Sequence, residues 1–299
     1  MANSDPGFFR KTTYEALDFL LFSNLFIALC AVAQALVTYR LLHIECDKHV
    51  LGILFFSTIA LYNFSLFISK PAHPEKSTYR RVRWVYANYR LMISLTLIAV
   101  LSLLVLVLFL STASQVLLVF LGVIGVCYNI PLFRFENKKF GLRNVPGLKL
   151  FLIAFIWSLS VVLFPIVEIE ASRNIAISQS DTILLIAKRF LFIAAITVPF
   201  DIRDLYQDRS YDLKTIPVML GEKKAYQVCQ MLLVVYLSLL FLFTKEFMAD
   251  FWALTLTIFL TGWLIFKSEF KKNEYFYFLY LDGTMLLQFV MLILVNALL

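Results

Sequence analysis

Nine long runs of apolar residues, nearly free of charge, leave this 299-residue chain few ways to fold. They cover about 17–39, 49–69, 91–111, 115–133, 148–167, 183–200, 226–244, 251–267 and 275–298, and each is long enough to cross the hydrocarbon of a bilayer as a helix. A soluble all-α protein would show apolar stripes along its helices, not helices apolar on every side. Only 16% of the residues are charged, against roughly a quarter in soluble domains. The expectation is an all-α integral membrane protein, about nine transmembrane helices forming a single domain over residues 1–299. The sixth run contains Lys188 and Arg189 near its start, which blurs its outer boundary.

Lysine and arginine set the orientation. With the N-terminus in the cytosol, 21 of the 27 fall in inner segments, and only Arg40, Lys48, Arg173, Lys188, Arg189 and Lys245 lie outside. The expectation is a cytosolic N-terminus and an outer C-terminus, in the cytoplasmic membrane if the source is bacterial. The formal charge of +7 is explained by that topology and calls for no nucleic-acid partner. The stretch up to Asp18 is polar and mixed in charge, so no cleaved leader is expected. Cys30, Cys127 and Cys229 lie in spans and Cys46 in an outer loop, which argues against a disulfide framework. His43, His49 and His73 are too scattered for a metal site. The inner loops 70–90, 134–147 and 201–225 are long and polar while the outer turn 111–114 is short, which points function toward the cytosolic face. The outer segment from Glu168 to Asp181 reads as an ordinary polar connection.

Between Asp201 and Gly221 stand four aspartates, Asp201, Asp204, Asp208 and Asp212. At about 100° per residue they fall near 0°, −60°, −20° and +20°, so one continuous helix would stack all four carboxylates on one face. Like charges at such spacing destabilise a helix, and more so beside a membrane. A cation should compensate them, and magnesium carrying a diphosphate is the usual partner of stacked carboxylates.

The same segment, with Asp201, Asp204, Asp208, Lys214, Thr215, Pro217 and Gly221 in place, closely resembles the second aspartate-rich motif of the UbiA superfamily of intramembrane prenyltransferases. Asp212 stands where that pattern usually has glycine. Tyr128-Asn-Ile-Pro131-Leu-Phe133-Arg134 is similar to a further signature of the family, Tyr-Ser-x-Pro-Pro-x-Arg. The resemblance implies a helical bundle around a central cavity open to the cytosol and, through a side gap, to lipid. It implies Mg2+ held by Asp201, Asp204 and Asp208, which are the candidate catalytic residues. Lys214, Arg134 and Tyr128 would contact diphosphate oxygens. The partners implied are a polyprenyl diphosphate and a lipophilic or aromatic acceptor, among membrane lipids; no protein partner can be inferred.

The family's first motif, Asn-Asp-xx-Asp-xxx-Asp, should fall at the end of the second run. There Asn63 survives as a candidate site residue, while Phe64, Phe67 and Pro71 replace the aspartates. The following loop gathers Lys70, His73, Lys76, Arg80, Arg81, Arg83 and Arg90 around Glu75. Three accounts stand open: these cations bind diphosphate in place of a metal, they pair with the aspartates and close a dead site, or they only obey the positive-inside rule. Asp282, within the ninth run, either lines the cavity and orients the acceptor or caps a buried cation. Lys149 can snorkel to the interface or join the site. Glu15 and Asp18 suit a helix N-terminus, and Asn24 can bond between helices or reach the cavity. The activity implied is transfer of a prenyl group to the acceptor. The alternatives are a terpene cyclase acting on the same diphosphate and a non-catalytic lipid-binding or scaffold protein that has lost the first motif. A transporter is less well supported, because the charges collect at one face instead of the midplane.

Overall fold

The computed structural model describes residues 6–130, 133–135, 138–140, 142, 145, 147–210, 213–244, 248–269 and 273–298. In hydrocarbon every backbone N–H and C=O needs an internal partner, and the helix supplies it. Among the described residues eight helical segments are long and apolar enough to span, and a bent pair makes a ninth. The chain is therefore a multi-pass membrane protein. That pair is α1 (Pro6–Phe22) and α2 (Leu25–Leu41), meeting at 62°. The hinge residue Asn24 is left-handed, φ 68°, a conformation that asparagine tolerates better than other non-glycine residues. The first expected run is thus broken at its middle.

α3 (Lys48–Ile68) starts where the Asp47 carboxylate accepts from the amides of His49 and Val50, at 2.8 and 3.2 Å. A short helix, α4 (Arg80–Ala87), follows in the basic loop and leads into α5 (Tyr89–Leu106). α6 (Thr112–Asn129) is capped by Ser111. The Ser111 amide and hydroxyl donate to the buried Glu168 carboxylate at 3.0 and 2.8 Å. Glu168 thus fastens the far end of the bundle, a role beyond that of an ordinary connection. Beyond α6 a two-stranded hairpin pairs β1 (Phe133–Phe135) with β2 (Lys138–Phe140), Arg134 opposite Lys139.

The fifth span is α7 (Leu148–Ser158), a π-helical turn at Leu159–Leu163, and α8 (Phe164–Arg173). α9 (Gln179–Arg203) is the long central rod, followed by the short α10 (Leu205–Ser210) and α11 (Ile216–Leu220). α12 (Glu222–Phe243) and α13 (Ala249–Ser268) complete two more spans. The last span opens with a π turn at Phe276–Leu281 and continues as α14 (Gly283–Leu298).

The largest buried cluster joins α2, α7, α9, α12, α13 and α14. α5 and α12, in contrast, turn Leu101, Leu104, Phe241 and Leu242 outward, as lipid-facing surfaces do and a water-facing surface of this extent does not. Arg189 lies inside this bundle and not in an outer loop. It donates to Gln288 Oε1 at 2.8 Å and to the Gln34 carbonyl at 3.2 Å, and Gln288 donates to Tyr236 at 3.2 Å, which ties α2, α9, α12 and α14 together. At the opposite end, where α9 finishes, the charged loops converge.

Candidate active site

α9 contains Pro199 one turn before its end and stops at Arg203; Asp204 sits in the break before α10. The expected single stripe of carboxylates is therefore interrupted. Asp201 and Asp208 are buried, whereas Asp204 lies half-buried to one side. Asp212 lies outside the described residues. Asp201, Asp204 and Asp208 each have a cation. Lys149 Nζ, at the start of α7, reaches Asp201 Oδ1 at 2.7 Å and Asp208 Oδ2 at 3.4 Å. Arg203 forks onto Asp204, Nε to Oδ1 at 2.8 Å and Nη2 to Oδ2 at 2.9 Å, and the Tyr79 hydroxyl donates to the same Oδ1 at 3.4 Å. The compensation that the aspartates require is thus supplied by the chain itself. Lys149 is a partner of the site and does not snorkel to the interface. Burial pushes the Asp208 carboxyl above its ordinary value, against the opposite pull of Lys149.

The other candidates fall at different distances from this pair of clusters. Tyr128 lies half-buried in the last turn of α6. Lys214 is exposed, and its carbonyl accepts from the Gly147 amide at 3.3 Å. The Arg134 backbone lies in β1, and its side chain is outside what the structure describes. Pro217 and Gly221 have local roles, the proline opening α11 and the glycine closing it at φ 84°, where a side chain would be strained.

Asn63 is fully buried and spent on other side chains. It accepts from Asn24 Nδ2 at 2.7 Å and donates to Thr96 at 2.9 Å. Of the basic loop, Arg80 binds Asp18, Nη2 to Oδ2 at 2.6 Å, and Lys70 lies over the rings of Tyr86 and Tyr89. His73 meets Glu75 at 3.3 Å. Among the described residues none of these loop cations pairs with Asp201, Asp204 or Asp208. Asp18 is buried, receiving Arg80 and the Tyr275 hydroxyl, instead of serving an exposed helix start.

Asp282 lines a cavity with Asn24, Ile27, Tyr62, Arg81 and Phe278. Its free volume is about 20 Å3, room for a single water. Sequence reasoning missed Arg203 and the pairing of Lys149. Arg203 counted only as one more inner-loop cation, and Lys149 meets its aspartates only through the packing of α7 on α9.

Among the described residues no group of three or more His, Cys, Asp or Glu side chains is arranged to hold a metal ion. The donor chemistry still suits one hard divalent ion at the end of α9. Asp201 Oδ2 is buried without a hydrogen-bond partner, and Asp208 holds Lys149 only at 3.4 Å. Oxygen ligands of this kind are what magnesium takes. Positions 64, 67 and 71 offer two phenyl rings and a proline, and suit none.

No protein of curated function matches the sequence significantly. Solved structures similar to the whole chain include an apo UbiA homologue from Aeropyrum pernix K1, TM-score 0.60 and 15% identity over 90% of this chain and 95% of that one. A UbiA homologue from Archaeoglobus fulgidus bound to GPP and Mg2+ gives TM-score 0.62 and 13% identity, covering 94% and 99%. A digeranylgeranylglyceryl phosphate synthase gives TM-score 0.56 and 14% identity, covering 96% and 100%. At these identities the likeness is one of fold. The profile of the UbiA prenyltransferase family matches residues 87–280, nearly two thirds of the sequence, and this chain belongs to that family.

Proposed function

We propose that this protein transfers a prenyl group from a polyprenyl diphosphate to a lipophilic or aromatic acceptor within the membrane, acting as a single domain. The charged end faces the cytosol, with the N-terminus on that side, in the inner membrane if the source is bacterial. The observation that carries this reading is the buried Asp201–Asp208 pair at the mouth of an apolar bundle, with Asp204 beside it. In the reaction the allylic carbon–oxygen bond breaks and diphosphate leaves with the electron pair. The acceptor's nucleophilic atom attacks the allylic cation and gives up a proton. Magnesium, when bound by Asp201, Asp204 and Asp208, would neutralise charge on the departing diphosphate. Lys214, Arg134 and Tyr128 stand as further contacts for its oxygens. The rings of Tyr79, Phe200, Tyr277 and Phe278 all lie within 5.9 Å of the Arg203 guanidinium. Faces that hold one cation can steady another.

A second reading, a non-catalytic lipid-binding scaffold, draws on the ion pairs made by these aspartates and on the small volume of the cavity. Labelled geranylgeranyl diphosphate given to the purified protein with magnesium and an acceptor panel separates the two. Pyrophosphate release that needs an acceptor, and falls at least about 100-fold in Asp208→Asn, supports transfer. Release without any acceptor identifies a cyclase. Binding without release, unchanged by the substitution, identifies the scaffold and sinks the transferase.

A further inference from the structure

Arg81, on the wall of that cavity, is a cation with an unspent donor. The N-terminus of α4 has no side-chain cap of its own. Glu274 supplies one from across the bundle, its carboxylate accepting from the amides of Arg80 and Arg81 at 2.6 and 3.0 Å. With Arg80 fixed on Asp18, this turns Arg81 inward. Its Nη2 donates to Asn24 Oδ1 at 2.7 Å. Asn24 then donates to Asn63, Asn63 to Thr96, and Thr96 to the Met92 carbonyl at 2.7 Å. The four bonds run in one direction across α4, the α1–α2 hinge, α3 and α5, so Asn24 can present only its carbonyl oxygen to the guanidinium. Asn63 is therefore committed to holding Arg81 in place.

Arg81 and Arg203 lie 4.8 and 5.2 Å from the centroid of one ring, Phe278. Arg81 Nε and Arg203 Nη1 are both buried without a hydrogen-bond partner. Asp282 shares the cavity, yet among the described residues no ion pair within 4 Å joins it to Arg81. Buried donors on a cation are costly to leave unspent. A ligand with several anionic oxygens answers that cost, and guanidinium groups recognise phosphate through paired N–H bonds.

We propose that Arg81, with Arg203 beside it, binds the diphosphate directly and takes the place of a divalent ion, so that this chain holds a prenyl diphosphate with at most one metal. This rests on the prenyl-transfer reading above. The cavity admits the diphosphate only as Arg81 exchanges Asn24 for phosphate oxygens and α4 shifts outward, because the free space is so small.

The test uses the full chain in lipid nanodiscs and geranyl S-thiolodiphosphate, a substrate analogue that resists ionisation. Binding is read by tryptophan fluorescence in magnesium and in EDTA, and bound magnesium is counted by calorimetry. The expected result is binding in EDTA within about 10-fold of that in magnesium, and one ion per chain at saturation. Arg81→Met should weaken EDTA binding by roughly 30-fold, the scale of charge-assisted hydrogen bonds, while Arg81→Lys recovers part of the loss. Two ions per chain, or loss of all binding in EDTA, would overturn the inference and need no variant to show it. Unchanged binding by Arg81→Met would overturn it as well. If the analogue binds in neither condition, the prenyl-transfer reading falls and takes the inference with it. Binding in magnesium alone leaves that reading standing and sinks only the role of Arg81.

Discussion

Lys149 is shared by two buried carboxylates, and Asp201 keeps one oxygen without a partner. Removing the ammonium would leave two negative charges on largely buried side chains, a change that costs about 3–5 kcal/mol in comparable buried pairs. Lys149→Met should accordingly lower the apparent unfolding temperature in nanodiscs by several degrees. Adding Asp201→Asn to it should restore part of the loss, since the two positions act on one charge cluster. A double variant no more stable than the single one would show that the pairing contributes little. Asp208 gives a second prediction, in pH. Burial raises its carboxyl above the usual range, so the folded state holds the proton more tightly than the unfolded state does. Stability then falls as pH climbs from the unfolded value, about 3.9, through the raised folded one, and the loss persists above it. Asp208→Asn should flatten this fall in unfolding temperature on the alkaline side of the unfolded value; an unchanged slope would refute the assignment. The sequence made the need for a counter-cation legible, because stacked aspartates demand one. It did not reveal which cation, since Lys149 and Asp201 meet only when α7 packs on α9.

At the scale of elements, apolar runs located each span to within a few residues but not its interruptions. The first run is continuous in hydropathy and still breaks at Asn24, where a left-handed residue makes the 62° bend. α4 escaped notice because its residues read as a basic loop, and it is held as a helix by partners far along the chain. Glu274 supplies its N-terminal cap, a contribution worth about 0.5–2 kcal/mol when such caps are deleted. Glu274→Ala should speed hydrogen exchange at the first amides of α4 by roughly 2- to 30-fold, with the amides of α9 unaffected. Equal exchange in the two proteins would mean that the cap does not hold the element.

For the molecule as a whole, the uneven distribution of lysine and arginine predicts a cytosolic N-terminus, which chemical labelling can check. Cys46 is exposed, Cys30 and Cys229 are buried, and Cys46 lies between α2 and α3, away from the aspartates. A membrane-impermeant maleimide should modify Cys46 in intact cells, and Cys46→Ser should abolish that signal. Labelling that requires permeabilised cells would invert the topology. Membership in the family was legible from the spacing of Asp201, Asp204, Asp208, Lys214 and Pro217. The altered half of the site was legible as missing aspartates and a basic loop, but not which of its cations turns inward, since that depends on how α4 is held. The π turn at Phe276–Leu281, directly before Asp282, carries more than one residue's worth of consequence. The wide turn takes up one residue more than ordinary pitch would, so deleting a single codon there leaves everything downstream on its face. The same deletion within α14 swings the residues beyond it by about 100°, so the final crossing tolerates a change of length at one place and not at the next.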